Sequence, residues 1–305
     1  MKRIYLILSV FAFVFLISAC SSDDTLDIEP YEYQPTDIDT TTALGKKIYE
    51  IEQKYDSKVI YNWDSHFIGN NANAFPPKAE KVYDFLLLME EIWFKPYYNN
   101  EFLRENLPRE IVLIGGSINY GEENGTSMSA AGQADSQYRI NIGLVNSFDP
   151  DMDPESYFSF RYEMQKILHH EFAHILNRRY GLPKGYSDIS KGLYLKNTHF
   201  SSLGGLEALN RGFIRPYGAV NEMEDFATLS EIAVTRSEET ALYSLFRIVN
   251  EAGNGYDYIG ITDFEKVHQK YKLLIEYYNN LGIDVQRIGN EMEQWIIEYA
   301  EEHDL

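Results

Sequence analysis

His169-His170-Glu171-Phe172-Ala173-His174 is the stretch on which the reading of this chain turns. From His170 it runs H-E-x-x-H. A helix advances about 100° per residue, so positions four apart return to within about 40° of each other and His170 and His174 share one face. Two imidazoles so placed can grip one divalent cation. On the same wheel Met164, Leu168, Phe172 and Ile175 gather on the opposite side, so one face packs while the other chelates. Glu171 falls toward the cation, placed to take a proton from a water activated there but too close to the helix axis to be a ligand. His169 lies about 100° from His170 and has no partner at matching spacing; its role is structural.

A catalytic zinc site takes three protein ligands and leaves one position open. The single cysteine, Cys20, excludes a thiolate site, so the ligands are His and carboxylates. No third His follows the motif: Tyr180 stands where one would fall, with Asn177, Arg178 and Arg179 around it. The third ligand must come from another element. The helical segment 221–231 carries Glu222, Glu224, Asp225 and Glu231 beside an apolar face of Phe226, Leu229 and Ala233. Glu224, Thr228 and Glu231 share the stripe opposite that face, whereas Glu222 and Asp225 point elsewhere.

Outward from these two helices the chain reads as one α+β domain over 41–305, without internal repeat or linker. Helical spacing predicts helices over 43–55, 78–96, 155–179, 204–211, 222–237, 239–250, 263–281 and 284–301. Val59-Ile60-Tyr61, Glu110 to Ile114 and Tyr138 to Ile142 read as strands. The Gly-, Ser- and Asn-rich stretch 117–134 reads as a loop. Gly115-Gly116-Ser117 is not a phosphate loop, because no Lys-Ser/Thr follows at the required spacing. His199 and Asn197, in the loop 181–202, could reach the cleft, but polar loop residues of this kind usually just meet water. The Tyr-rich helix 271–281 reads as packing rather than a carbohydrate platform.

The first residues are a leader. Lys2 and Arg3 precede an apolar run from Ile4 to Ile17, 14 residues, too short to span a bilayer that requires about 20. Leu16-Ile17-Ser18-Ala19-Cys20 looks like a bacterial lipobox, which predicts cleavage of residues 1–19 and lipidation of Cys20. Residues 20–40 lack an apolar period and read as an acidic, flexible tether. The Asp23-Asp24 pair resembles a Bacteroidota surface-export signal, so the expected location is the outer membrane, facing out.

Across its 305 residues the chain carries 27 Lys+Arg against 47 Asp+Glu, a net charge of −20. Such a surface repels a phosphate backbone and excludes nucleic acid as a partner.

The H-E-F-A-H motif, followed about fifty residues later by E-x-F-A with a Tyr seven positions before it, resembles the gluzincin kind of zincin metallopeptidase. The spacing is similar to that of the anthrax lethal-factor-like peptidase domain. Ile111 to Gly116, the strand at 138–143, His170 to His174, and Pro216-Tyr217-Gly218 with Glu224 to Ala227 resemble the zinc-binding metallopeptidase lipoproteins of Bacteroidota. Those are described as substrate-import-associated zinc metallohydrolases, encoded beside outer-membrane nutrient importers. The resemblance covers most of 40–240. It implies a small mixed sheet packed on the H-E-x-x-H helix, with a mostly helical C-terminal part. It further implies Zn²⁺ on His170, His174 and Glu224, Glu171 as general base, and Tyr217 as hydroxyl donor to the transition state. These families often carry a second Glu one turn after the ligand; here Thr228 stands there, leaving Glu231 or Asp225 to support the ligands from behind. The implied activity is hydrolysis of peptide bonds in an external polypeptide or glycoprotein, in company with an outer-membrane importer. The alternative is a catalytically idle accessory that captures substrate for one; a non-peptide amide would call for the same chemistry.

Overall fold

Ile111, Val112, Leu113, Ile140 and Ile142 are fully buried, as strands covered on both faces require. A computed structural model describes residues 38–63, 73–123, 126–195, 200–241 and 264–305. The leader 1–19, Cys20, the tether up to residue 37, Asn197, His199 and nearly all of the helix expected over 239–250 lie outside the described residues. The described part belongs to a unit that runs from Ile38 to Leu305.

In chain order, α1 (Ala43–Tyr55) starts at Thr42, whose side chain accepts the Gly45 N–H, and leads into β1 (Lys58–Ile60). Next come α2 (Ala79–Met89), a π turn over Glu90–Phe94 and α3 (Lys95–Tyr98), forming one continuous rod. Pro96 explains the wide turn: it has no N–H to give the Ile92 carbonyl, and its ring crowds that carbonyl. The widening lets Ile92, Trp93, Phe94 and Tyr97 all turn inward, each 0–2% exposed.

After α4 (Glu101–Asn106) come β2 (Glu110–Leu113), β3 (Ile118–Glu123), β4 (Thr126–Ala130), β5 (Gly132–Ala134) and β6 (Arg139–Ile142). The main sheet has the order β1-β2-β6-β5, with β1, β2 and β6 parallel and β5 antiparallel at the edge. The stretch 117–134 is therefore not a loop. β3 and β4 pair as an antiparallel hairpin, and β5 pairs β6 with Gly132 opposite Ile142. Gly, Ser and Asn have low strand preference, but backbone pairing and the burial of Ile118 outweigh it. Gly132 is small for a second reason: a Cβ there would lie 2.7 Å from Ile167 Cγ2 and 2.8 Å from Glu171 Cγ.

The helical remainder is α5 (Pro154–Tyr180), α6 (Gly205–Asn210), α7 (Glu222–Thr235), α8 (Glu265–Asn280) and α9 (Val285–Glu302). Asp153 caps α5 by accepting the Ser156 N–H, Pro154 opens it, and Gly181 at φ 78° closes it. Met164, Leu168, Phe172 and Ile175 are 0–2% exposed, so the apolar face of α5 does pack inward. α7 runs against α5 and is backed by α9. The approach of α9 requires Gly289, where a Cβ would stand 2.2 Å from the Arg236 carbonyl oxygen. Among the described residues no helix is long and apolar enough to cross a membrane.

Candidate metal centre

The middle of α5 and the first turns of α7 bring three potential ligands together. One donor atom each from His170, His174 and Glu224 lie within 4.8 Å of one another. Glu224 Oε2 is 3.0 Å from His170 Nε2 and 3.2 Å from His174 Nε2. The imidazole rings stand at 84° with centroids 4.8 Å apart, as four-residue spacing on a helix delivers them. Glu224 sits in the first turn of α7, whose cap Asn221 accepts the N–H groups of Met223 and Glu224. A carboxylate is favoured there by the positive end of the helix.

The surroundings favour a cation at this point. Burial opposes charge on Glu224, yet His170 and His174 hold its carboxyl well below the ordinary range. Burial likewise opposes charge on His170, but Glu224 and Glu231 outweigh it and push the imidazole up to about 10. Two imidazole nitrogens and a carboxylate oxygen within 4.8 Å of one another, among acidic neighbours, form a donor set that fits a divalent metal such as zinc.

Behind the ligands, His170 Nδ1 donates to Glu231 Oε2 at 2.8 Å, and Arg215 donates to the other oxygen of Glu231. Glu231 thus backs His170 at the ring nitrogen turned away from Glu224. Asp225 does not face the cluster: its carboxylate meets Lys270 Nζ at 2.6 Å and the Tyr194 hydroxyl at 2.9 Å. Burial pushes Asp225 up to about 6 against the pull of Lys270. Thr228 is fully buried, and its hydroxyl has no partner among the described residues.

Glu171 is 8% exposed and its Oε2 accepts the Ala134 N–H of β5 at 2.7 Å, which ties the carboxylate to the sheet edge. Tyr217 lies in the 3₁₀ turn Pro216–Ala219, 40% exposed, with its ring 5.9 Å from that of His170 and edge-on to Phe200 at 5.3 Å. Burial of its hydroxyl, then the charges of Glu224 and Glu171, raise it well above a free tyrosine, so it remains a donor. His169 is structural: the Tyr97 hydroxyl donates to its Nδ1 at 2.5 Å, and burial pushes it down to about 3, so it stays neutral.

Three contributors escape a reading of the sequence. Ala134 acts through its backbone, Arg215 stands sixteen residues from the carboxylate it holds, and Tyr120 comes from the unexpected hairpin. Burial, then the charges of Glu171 and Asp135, push Tyr120 up to about 12. The one available signal was Arg215 itself, a cation two residues before Tyr217 in an acidic chain.

A family model described as "Putative zinc-binding metallo-peptidase" matches residues 41–286. No curated protein matches the chain. Among solved structures, the fold is similar to a crystal structure of a "putative zinc-binding metallo-peptidase" from Bacteroides caccae ATCC 43185. The TM-score is 0.59 at 18% identity, over 88% of this chain and 96% of that one.

Proposed function

We propose, from the premise that this chain belongs to the "Putative zinc-binding metallo-peptidase" family, that it is a zinc-dependent peptidase of the zincin type, anchored by lipid at Cys20. The observation that carries the proposal is the convergence of His170, His174 and Glu224 on one point, with Glu171 next to His170 in the chain and its charge acting on that imidazole. A zinc ion held by those three side chains would supply Lewis-acid polarisation of a carbonyl and acidification of a water. In this mechanism Glu171, kept in place by the Ala134 N–H, accepts the proton of the attacking water and returns it to the leaving amine. The protonated Tyr217 hydroxyl donates to the oxygen on which negative charge develops. Tyr217 is 40% exposed and so open to a substrate; the substrate we assign, an external polypeptide or glycoprotein, is the one the family resemblance implies. The lipobox-like leader supports a surface location, and the resemblance to import-associated lipoproteins supports work beside a nutrient importer.

The deciding test is zinc per chain in the full protein, wild type against Glu224→Ala, together with cleavage of a fluorogenic peptide library. About one zinc in the wild type, much less in the variant, and metal-dependent cleavage are expected. A folded wild type that takes up no zinc would defeat the proposal in favour of the substrate-capturing accessory.

A further inference from the structure

An imidazole can offer a metal only the nitrogen that carries no proton, and the hydrogen bond at its other nitrogen decides which one that is. For His170 the decision lies with Glu231, whose Oε2 accepts from Nδ1 at 2.8 Å and leaves Nε2 turned toward Glu224. Glu231 stands seven residues beyond Glu224, about 10 Å along the helix axis. One turn after Glu224 the side chain is Thr228, whose hydroxyl has no partner among the described residues. The support for His170 therefore comes from farther along α7 and needs an anchor of its own.

That anchor is Arg215. Glu231 is 3% exposed, and a buried carboxylate is costly unless it is paired. His170 engages one of its oxygens; the Arg215 guanidinium engages the other, reaching in from just before the turn that carries Tyr217. With a donor on each oxygen the carboxylate plane is fixed. Without Arg215 the group is free to rotate about its last bond, and the direction in which it holds His170 is lost.

We propose that Arg215 is a positioning residue for metal binding, which acts through Glu231 to aim Nε2 of His170 at the metal. The inference rests on the metal-site reading above. The opposing view is that Arg215, whose side chain is 39% exposed, contacts substrate directly.

The test is a double-mutant cycle on the full chain: wild type, Arg215→Met, Glu231→Gln and the double variant, with Arg215→Lys alongside. Zinc dissociation constants are measured by competition with a chromophoric chelator, and urea unfolding of the metal-free proteins confirms that each variant folds. Arg215→Met is expected to weaken zinc binding about 10-fold and Glu231→Gln about 10- to 100-fold, the range for residues that support a ligand from behind. The double variant should bind no more weakly than Glu231→Gln alone. Arg215→Lys, which keeps the charge and loses the fork, should recover part of the loss. If Arg215→Met does not fold, Arg215→Lys must itself show weakened zinc binding. Unchanged zinc affinity in a folded Arg215 variant, with or without a higher KM, overturns the inference while the metal site stands. Losses that multiply in the double variant overturn it too. A wild type without zinc overturns both readings.

Discussion

Lys270 and Asp225 meet 2.6 Å apart, each side chain 1% exposed, one residue beyond Glu224. Lys270 also donates to the Gly212 carbonyl at 2.7 Å, so a single ammonium joins α8 and the loop after α6 to α7. Deleting one partner of a buried pair leaves an uncompensated charge and costs about 3–5 kcal/mol. Lys270→Met should lose stability on that scale in urea unfolding. The double variant Lys270→Met/Asp225→Asn should recover a good part of it, and no recovery would show that the pair is not the origin of the loss.

His174→Ala and Glu171→Gln should separate binding from chemistry. The first removes a donor and is expected to lose the metal. The second keeps all three donors and should retain zinc while cleavage falls by about 10²- to 10⁴-fold, the usual contribution of a general base. Zinc content beside peptide cleavage reads both; near-normal cleavage by Glu171→Gln would assign the base elsewhere.

Gly132→Ala inserts a methyl group against Glu171 Cγ and Ile167 Cγ2. Overpacking of this kind costs about 1–3 kcal/mol. The larger effect should fall on chemistry, because the displaced carboxylate leaves the Ala134 N–H: zinc is retained and turnover drops at least about 10-fold. Wild-type turnover in this variant would mean that the contact between the strand edge and Glu171 is dispensable.

The acid limb of stability should depend on Glu90. Burial opposes its charge, but Lys47 and the Tyr55 hydroxyl, the latter at 2.8 Å, hold its carboxyl down to about 2 against an ordinary 4.5. A depressed folded-state pKa means that the unfolded chain binds the proton first as pH falls. Stability from Glu90 is therefore complete above about 4.5 and is lost as pH falls toward 2. Glu90→Gln should cost about 1–3 kcal/mol at pH 7 and almost nothing near pH 2. Equal losses at both ends, read by urea unfolding, would contradict the assignment.

The parts of this molecule legible in the sequence are those whose cause is local. The imidazole pair follows from four-residue spacing on one helix, the inward face of α5 from its apolar period, and the core strands from runs such as Ile111-Val112-Leu113. The carboxylate stripe of α7 was visible as well, with Glu224, Thr228 and Glu231 on one side. Periodicity could not tell that Asp225 would turn to Lys270, forty-five residues away, because nothing near Asp225 encodes that partner. β5 was hidden because Gly132, which must be small against α5, looks like a loop residue. The wide turn before Lys95 was hidden because a helical period continues on both sides of it, and only Pro96 signals the extra residue.

Gly289 lets α9 lie against the backbone of α7 at its end, Arg236 included. The helix that carries Glu231 is thus backed by the last helix on its other side. A reading frame interrupted before Val285 would still encode His170, Glu171, His174, Glu224 and the whole sheet. Its product would nonetheless lack the wall against which α7 stands, so an inventory of motifs would count as whole a protein in which the helix carrying Glu224 and Glu231 has lost its backing.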